Sequence, residues 1–419
     1  MRGIYWLKPG LQIKRWILLG LLGIILLSIS FSHFFMIMKI TMADTLNIFI
    51  GILGIYFIYM AIYRGLKSLF TDINYMGNPL HRRSINKQIY DKKILSRGPK
   101  IVVIGGGTGL SILLRGLKLF TTNITAIVTV ADDGGGSGKI REDLGMLPPG
   151  DIRNCILALA DMEPTMEKLL QYRFQDGSLK GQSFGNLFIA SMNGITGNFE
   201  EAIKRMSEVL AVTGEVYPVT LEDVILYGVL ENGTVIKGES NIPIKSVELG
   251  SPIDKVFIKP KEVKGLKGAV KAIECADIVL LGPGSLYTSI MPNLLVKNIM
   301  DALEKTSNKK IYISNIMTQP GETDGYSVRH HLEGILKHCP KIKIDYVIAN
   351  NGVVGEGAYN RYQEEGAELV MVTEEDIKSL KEKNIKLIKE NFIEVKKDYV
   401  RHDAVKLSRI IIDLANGKK

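Results

Sequence analysis

Residues 101–117 read Ile101-Val102-Val103-Ile104-Gly105-Gly106-Gly107-Thr108-Gly109-Leu110-Ser111-Ile112-Leu113-Leu114-Arg115-Gly116-Leu117, and they decide the fold class. The first four residues are an unbroken apolar run, the pattern of a parallel strand covered on both faces. A glycine turn follows at once. Leu110, Leu113, Leu114 and Leu117 then recur at helical spacing. Strand, glycine turn and helix together make the opening unit of an α/β sheet. Glycines let the backbone approach an oxygen-rich ligand, and a helix N-terminus offers free N–H groups to an anion. The dinucleotide pattern GxGxxG needs glycine where Leu110 stands. A tight turn without a ligand is the plain alternative.

The same grammar recurs downstream. Ile124–Val130 reads as a second strand and runs into Ala131-Asp132-Asp133-Gly134-Gly135-Gly136-Ser137-Gly138-Lys139. In open α/β sheets, ligands lie outside the carboxyl ends of the strands. Asp132 and Asp133 fall there, placed to bond sugar hydroxyls or to hold Mg²⁺ against phosphate oxygens. The loop is not a Walker A motif, which needs glycine at Asp133 and Ser or Thr at Ile140. Pro148-Pro149-Gly150-Asp151-Ile152-Arg153-Asn154 leads into a helix. Asp151 reads as its N-cap, and Arg153 and Asn154 face the glycine loops from its first turn. Gln182-Ser183-Phe184-Gly185-Asn186 opens another helix, with Ser183 as cap. Ala276–Leu281 is a buried strand that ends in Gly282-Pro283-Gly284-Ser285. Lys310–Ser314 is followed by the polar loop Thr318–Gly325 and a helix carrying His330 and His331, whose spacing does not suit a metal. GxSxG is absent. The site chemistry therefore rests on phosphates and carboxylates.

Around residues 215–260 the pattern changes. Asn232-Gly233 between two β-rich runs is a hairpin signal and predicts an antiparallel insertion. The alternation then resumes and closes with a helix over Ala404–Ala415. The expected fold is α/β, a Rossmann-like, doubly wound and mostly parallel sheet with this small antiparallel insertion.

Composition excludes other classes. Of 419 residues, 46% are hydrophobic, which is too apolar for a disordered chain. Cys155, Cys275 and Cys339 are an odd count without a CxxC, so neither a disulfide scaffold nor a zinc site is expected. The net charge of +9 belongs to residues 1–100, which carry +11, whereas residues 101–419 carry −2. The large domain has no electrostatic footprint for nucleic acid. Residues 1–67 read as a membrane anchor. Residues 16–38 and 45–63 lack formal charge and are long enough to span, by the rise per residue of a helix. A signal peptide and a buried helical hairpin are the competing readings. Arg2, Lys8, Lys14 and Arg15 before the first run, and Arg64, Lys67, Arg82 and Arg83 after the second, place both termini and the main domain on the cytoplasmic side of the cell membrane, with only Lys39 and Asp44 in the joining turn. Residues 68–99 read as a basic linker, and 100–419 as the ligand-binding domain.

Six ordered motifs carry a resemblance: GGGTGLS, TVADDGG, PPGDIRN, SFGNL, LGPGSLYTS and TQPGETDGY. Over residues 100–419 the chain resembles the YvcK-type gluconeogenesis factor family, within the CofD-like superfamily of 2-phospho-L-lactate transferase. The resemblance implies a nucleotide-diphosphate site that binds UDP-N-acetylglucosamine or a related nucleotide sugar. It implies a role in cell shape, cell-wall synthesis and carbon metabolism under gluconeogenic growth, with wall-regulating partners and a homo-oligomeric state. It also leaves open a Mg²⁺-dependent transferase with a nucleoside-diphosphate-activated donor. By motif match, the ligand side comprises Gly105, Gly106, Gly107, Thr108, Gly109, Asp132, Asp133, Gly134, Ser137, Arg153, Asn154, Gly185, Asn186, Gly282, Gly284, Ser285, Tyr362 and Arg401. Asp132 and Asp133 are the candidate Mg²⁺ ligands, and no residue is assigned as catalytic. Two departures stand out: the family pattern has His where Gln182 stands and Ser where Gly136 stands.

Overall fold

The run Ile101–Ile104 is buried throughout. With Gly105 it forms β1 (Ile101–Gly105), an interior strand of a seven-stranded sheet. This computed structural model describes residues 13–34, 42–70, 93–161, 164–396 and 399–417. The chain divides into two compact units, residues 1–97 and 98–419.

In the larger unit the chain leaves β1 in one direction, to β2 (Ile124–Val128) and β3 (Glu215–Pro218). It returns to the other side of β1 as β7 (Ile278–Leu281), then moves outward through β8 (Lys309–Ile313), β9 (Tyr346–Asn350) and β10 (Lys386–Glu390). Every neighbouring pair is parallel. The direction of winding therefore reverses between β1 and β7, and this switch point is where such sheets open a crevice.

A second sheet is antiparallel: β4 (Ile225–Leu230) between β5 (Val235–Lys237) and β6 (Ile253–Lys259). The rings of Tyr227 and Phe257 stack across the β4–β6 pair at 5.2 Å. The insertion starts later than position 215, because β3 pairs in parallel with β2 and belongs to the main sheet. An edge strand is covered less completely than an interior one. The alternating burial of β3 has that origin and imitates an antiparallel strand. A third pair, β11 (Ile393–Lys396) with β12 (Tyr399–His402), precedes the last helix, Ala404–Ala415.

Among the described residues of the smaller unit, the long helices are Ile13–Phe34 and Met42–Phe70. No helix among the described residues is long and apolar enough to cross a membrane. This overturns the two expected spans at 16–38 and 45–63, the multi-pass location in the cell membrane and the anchoring role. The apolar runs contain Ser28, Ser30, Ser32 and His33 in one helix and Asn47 in the other, which also takes in Asp44, Arg64 and Lys67. The helices pack on each other through small residues. A Cβ on Gly23 would lie 2.8 Å from the Gly54 carbonyl oxygen, and one on Gly54 would lie 2.9 Å from that of Gly23. Arg2, Lys8, Lys39, Arg82, Arg83 and most of the 68–99 linker lie outside the described residues.

The helix Gly107–Leu117 turns Leu110, Leu113, Leu114 and Leu117 into the core. Full burial of such a side chain is worth roughly 1.5–3 kcal/mol. Its outer face meets the last helix so closely that a Cβ on Gly116 would lie 2.2 Å from the Ala404 carbonyl oxygen and 2.5 Å from Ser408 Oγ. Backbone cannot yield as a flexible side chain can. Gly116→Ala is expected to lower the stability of the larger unit by about 1–3 kcal/mol, read as a lower midpoint in urea unfolding.

Candidate functional site

The glycine turns after β1 and β7 meet at the switch point. A Cβ on Gly109 would lie 2.9 Å from the Pro283 carbonyl oxygen, and one on Gly284 would lie 3.2 Å from that of Gly106. Gly107 has φ +70°, a conformation open to glycine. Beyond these turns lies a cavity of about 820 Å³. Gly106, Gly107, Thr108, Gly109, Asp132, Gly284, Ser285, Tyr362 and Arg401 line it, so nine of the expected positions converge there.

Three carboxylates face the same space. Asp132 accepts the Gly134 N–H at 2.9 Å. Asp151, a lining residue, accepts the Gly107 N–H at 2.7 Å. Glu239 reaches in from the antiparallel insertion. Burial raises the pKa of all three; Asp151 is pushed up to about 6 and Glu239 to about 8, where neighbouring Asp132 adds to the effect of burial. Glu239 therefore carries a proton at neutral pH and can donate as well as accept. Behind the Ser285 turn, Glu322 is buried and pushed up to about 7, first by its burial. It accepts Thr288 Oγ1 at 2.9 Å and the Tyr287 N–H at 3.3 Å, bracing a π-helical turn over Leu286–Ile290. Gln319 Nε2 donates to Ser285 Oγ at 2.7 Å, a second brace on the same turn.

The far wall comes from the C-terminal part. The helix Glu356–Glu364 supplies Tyr362, and β12 supplies Tyr399, Val400, Arg401 and His402. Tyr362 Oη accepts the Val400 N–H at 3.1 Å, tying the two together. Arg361 lies over the Tyr399 ring at 4.3 Å, and Arg401 lies 5.9 Å from the same ring. His402 Nε2 donates to the Ser314 carbonyl at 3.2 Å, and burial pushes its pKa down to about 4, so it stays neutral.

The other expected residues stand behind this cavity. Gly105 and Gly282 are packing positions: the Gly105 carbonyl accepts Asn293 Nδ2 at 3.1 Å, and the Gly282 N–H bonds the Ile104 carbonyl at 2.9 Å. Asp133 turns away from Asp132. Its oxygens accept the N–H groups of Glu239 and Ser240 and the Ser240 hydroxyl. The expected Asp132–Asp133 pair for Mg²⁺ does not form, because one partner is spent on this start of the helix Asn241–Leu249. Among the described residues no group of three or more His, Cys, Asp or Glu is arranged to hold a metal. Gly134 and Ser137 support Asp132, the first through its N–H and the second through its hydroxyl. Arg153 does not face the glycine loops; its guanidinium bonds Ser183 Oγ, Asn186 Oδ1 and Asn154 Oδ1. Gly185 leaves room for it, since a Cβ there would lie 2.6 Å from Arg153 Cδ. Asp151 is not an N-cap either, because Pro149 holds that position and the Asp151 side chain caps the helix Gly107–Leu117 from 44 residues away. Glu239 and His402 carry no local signal in the sequence, and Glu322, within the polar loop after Lys310–Ser314, is not distinguished from its polar neighbours by sequence alone.

Comparison with known proteins places this arrangement. The family model described as 2-phospho-L-lactate transferase CofD matches residues 101–393. A Clostridium acetobutylicum protein named putative gluconeogenesis factor is 50% identical, covering 100% of this chain and 93% of its own. The Bacillus subtilis gluconeogenesis factor is 44% identical over 76% of this chain and 99% of its own. A crystal structure of a UPF0052-family protein from Bacillus halodurans superposes with TM-score 0.71 at 46% identity, covering 74% of this chain and 98% of that one.

The two departures from the family pattern touch each other. Gln182 is buried and its Oε1 has no hydrogen-bond partner among the described residues. A Cβ on Gly136 would lie 3.0 Å from that oxygen. Gly136→Ala and Gln182→Ala are therefore expected to couple. Urea unfolding of the two single variants and the double variant should give an interaction of roughly 0.5–1 kcal/mol, with Gly136→Ala better tolerated once Gln182 is truncated.

Proposed function

The chain belongs to the CofD family, in its gluconeogenesis factor branch, and on that premise we propose that the rim cavity binds a nucleoside-diphosphate sugar, UDP-N-acetylglucosamine, as a regulatory ligand. One observation carries this reading. A single cavity of about 820 Å³ joins a glycine-rich rim, three carboxyl groups and a wall with Tyr362, Tyr399 and Arg401. Its size falls within the roughly 300–1,000 Å³ of small-molecule sites. The glycine turn suits phosphate oxygens, which accept backbone N–H groups. The carboxyl groups of Asp132 and Glu239 suit the hydroxyl and amide donors of a sugar. Tyr362 and Tyr399 offer ring faces to a base, and Arg401 offers a cation to a phosphate.

Ligand binding would regulate by biasing the β11–β12 hairpin, which carries Arg401, toward the glycine turns. A conformational bias of this kind requires different affinities in two states. The output would be control of wall synthesis and cell shape during gluconeogenic growth, through partner proteins and self-association. Titration calorimetry of the full chain with UDP-N-acetylglucosamine should show saturable binding, and Arg401→Ala should weaken it by about tenfold or more. Absence of saturation at millimolar ligand would sink the proposal.

The match to a transferase model supports a second reading, transfer from a nucleoside-diphosphate-activated donor. Asp132 is then the residue nearest the reacting groups. Incubation with UDP- and GDP-activated donors and a panel of hydroxylated acceptors should release free nucleotide, and Asp132→Asn should suppress that release. No nucleotide release with any acceptor leaves the regulatory reading alone.

A further inference from the structure

The cap on the helix Gly107–Leu117 is unusual in its origin. The residue at the N-cap position, Gly106, has no side chain to offer. The first N–H of the helix, that of Gly107, is bonded instead by the carboxylate of Asp151 at 2.7 Å. The approach depends on Gly106, because a Cβ there would lie 2.7 Å from Asp151 Oδ2. Asp151 also lines the cavity, so its carboxylate stands where a ligand would meet the glycine turn.

Among the described residues no cation bonds this carboxylate directly. Arg153 is the positive charge that acts on it, and the terminal nitrogens of its guanidinium are committed to Ser183, Asn186 and Asn154. Asp132 adds a second negative charge beside it. A buried carboxylate held by one N–H, next to another carboxylate, costs stability relative to a neutral isostere. It also repels any anion at the turn. A phosphate oxygen seeking the Gly107 N–H finds it already taken.

We propose that Asp151 sets the affinity and selectivity of the phosphate subsite by occupying it: an anionic ligand must displace the Asp151 carboxylate from the Gly107 N–H. This rests on the assignment of the cavity to phosphorylated ligands and names the residue that opposes them. A strongly accepting, multiply charged diphosphate can take the N–H in exchange. A neutral nucleoside does not compete for it and is indifferent to Asp151. Residue 151 thus acts against the ligand, although it lies in the site.

Calorimetry on the full chain, the Asp151→Asn variant and the Asp151→Ser variant tests this, with inorganic pyrophosphate, UDP-N-acetylglucosamine and uridine as probes. Asparagine keeps an acceptor for the Gly107 N–H and removes the charge; serine provides a second neutral variant should the first not fold. Both variants are expected to bind pyrophosphate and the nucleotide sugar about tenfold more tightly than the unmodified chain, with uridine binding unchanged. Unchanged or weaker pyrophosphate binding in the folded variants overturns the proposal, as does an equal gain for uridine. A gain for pyrophosphate without any binding of the nucleotide sugar keeps the role of Asp151 and removes the sugar assignment.

Discussion

Three helical segments that begin at the rim of the sheet have N–H groups in or just before their first turn held by carboxylates of the chain itself. Asp151 holds Gly107, Asp133 holds Glu239 and Ser240, and Glu322 holds Tyr287. Each carboxylate comes from a loop or helix remote in sequence from the end it satisfies. Orphan N–H groups at a helix start need a partner, and the positive end of the helix dipole favours an anion. The chain meets that need with acids from neighbouring loops and helices. These bonds tie the β1 turn to the helix Gly150–Leu159, the β2 turn to the insertion, and the β7 turn to the loop after β8. Loss of any one frees both a helix start and a loop.

The concentration of acids has an electrostatic consequence. Asp132, Asp133, Asp151, Glu239 and Glu322 share a region where the described residues supply few direct counter-charges, and burial raises the pKa of Asp132, Asp151, Glu239 and Glu322. Glu239 and part of the Glu322 population hold protons at neutral pH. The rim is therefore less negative than a count of acids suggests, and more able to donate hydrogen bonds.

The sheet was legible in the sequence because buried parallel strands are continuous apolar runs. Ile101–Ile104 and Ala276–Leu281 announced β1 and β7, and their glycine turns announced the strand ends that line the rim. The near wall of the cavity followed from the same logic. The boundary of the insertion did not, because the edge strand Glu215–Pro218 alternates as an antiparallel strand does. The paired Asp132 and Asp133 looked equivalent in sequence, yet consecutive residues beyond a strand end point apart, and only Asp132 faces the cavity. Glu239 was hidden because its place depends on how a separate sheet docks over the rim, a tertiary fact with no local signature. The N-terminal apolar runs were long enough to suggest spans. Length and mean apolarity do not separate a span from a helix pair joined by glycine contacts such as Gly23 with Gly54.

The clamp between Gly116 and the last helix gives the site a temporal order. The glycine turn lies early in the chain, whereas the wall bearing Arg401 is carried on β12, immediately before Ala404–Ala415. That final helix is what seats against the opening helix through Gly116. During synthesis, then, the floor is laid long before the wall can be fastened to it. Under the proposed reading, a ribosome-bound chain must emerge through Ala404–Ala415 before its ligand cavity can close, and proteolytic clipping within that helix would undo ligand binding while sparing most of the sheet.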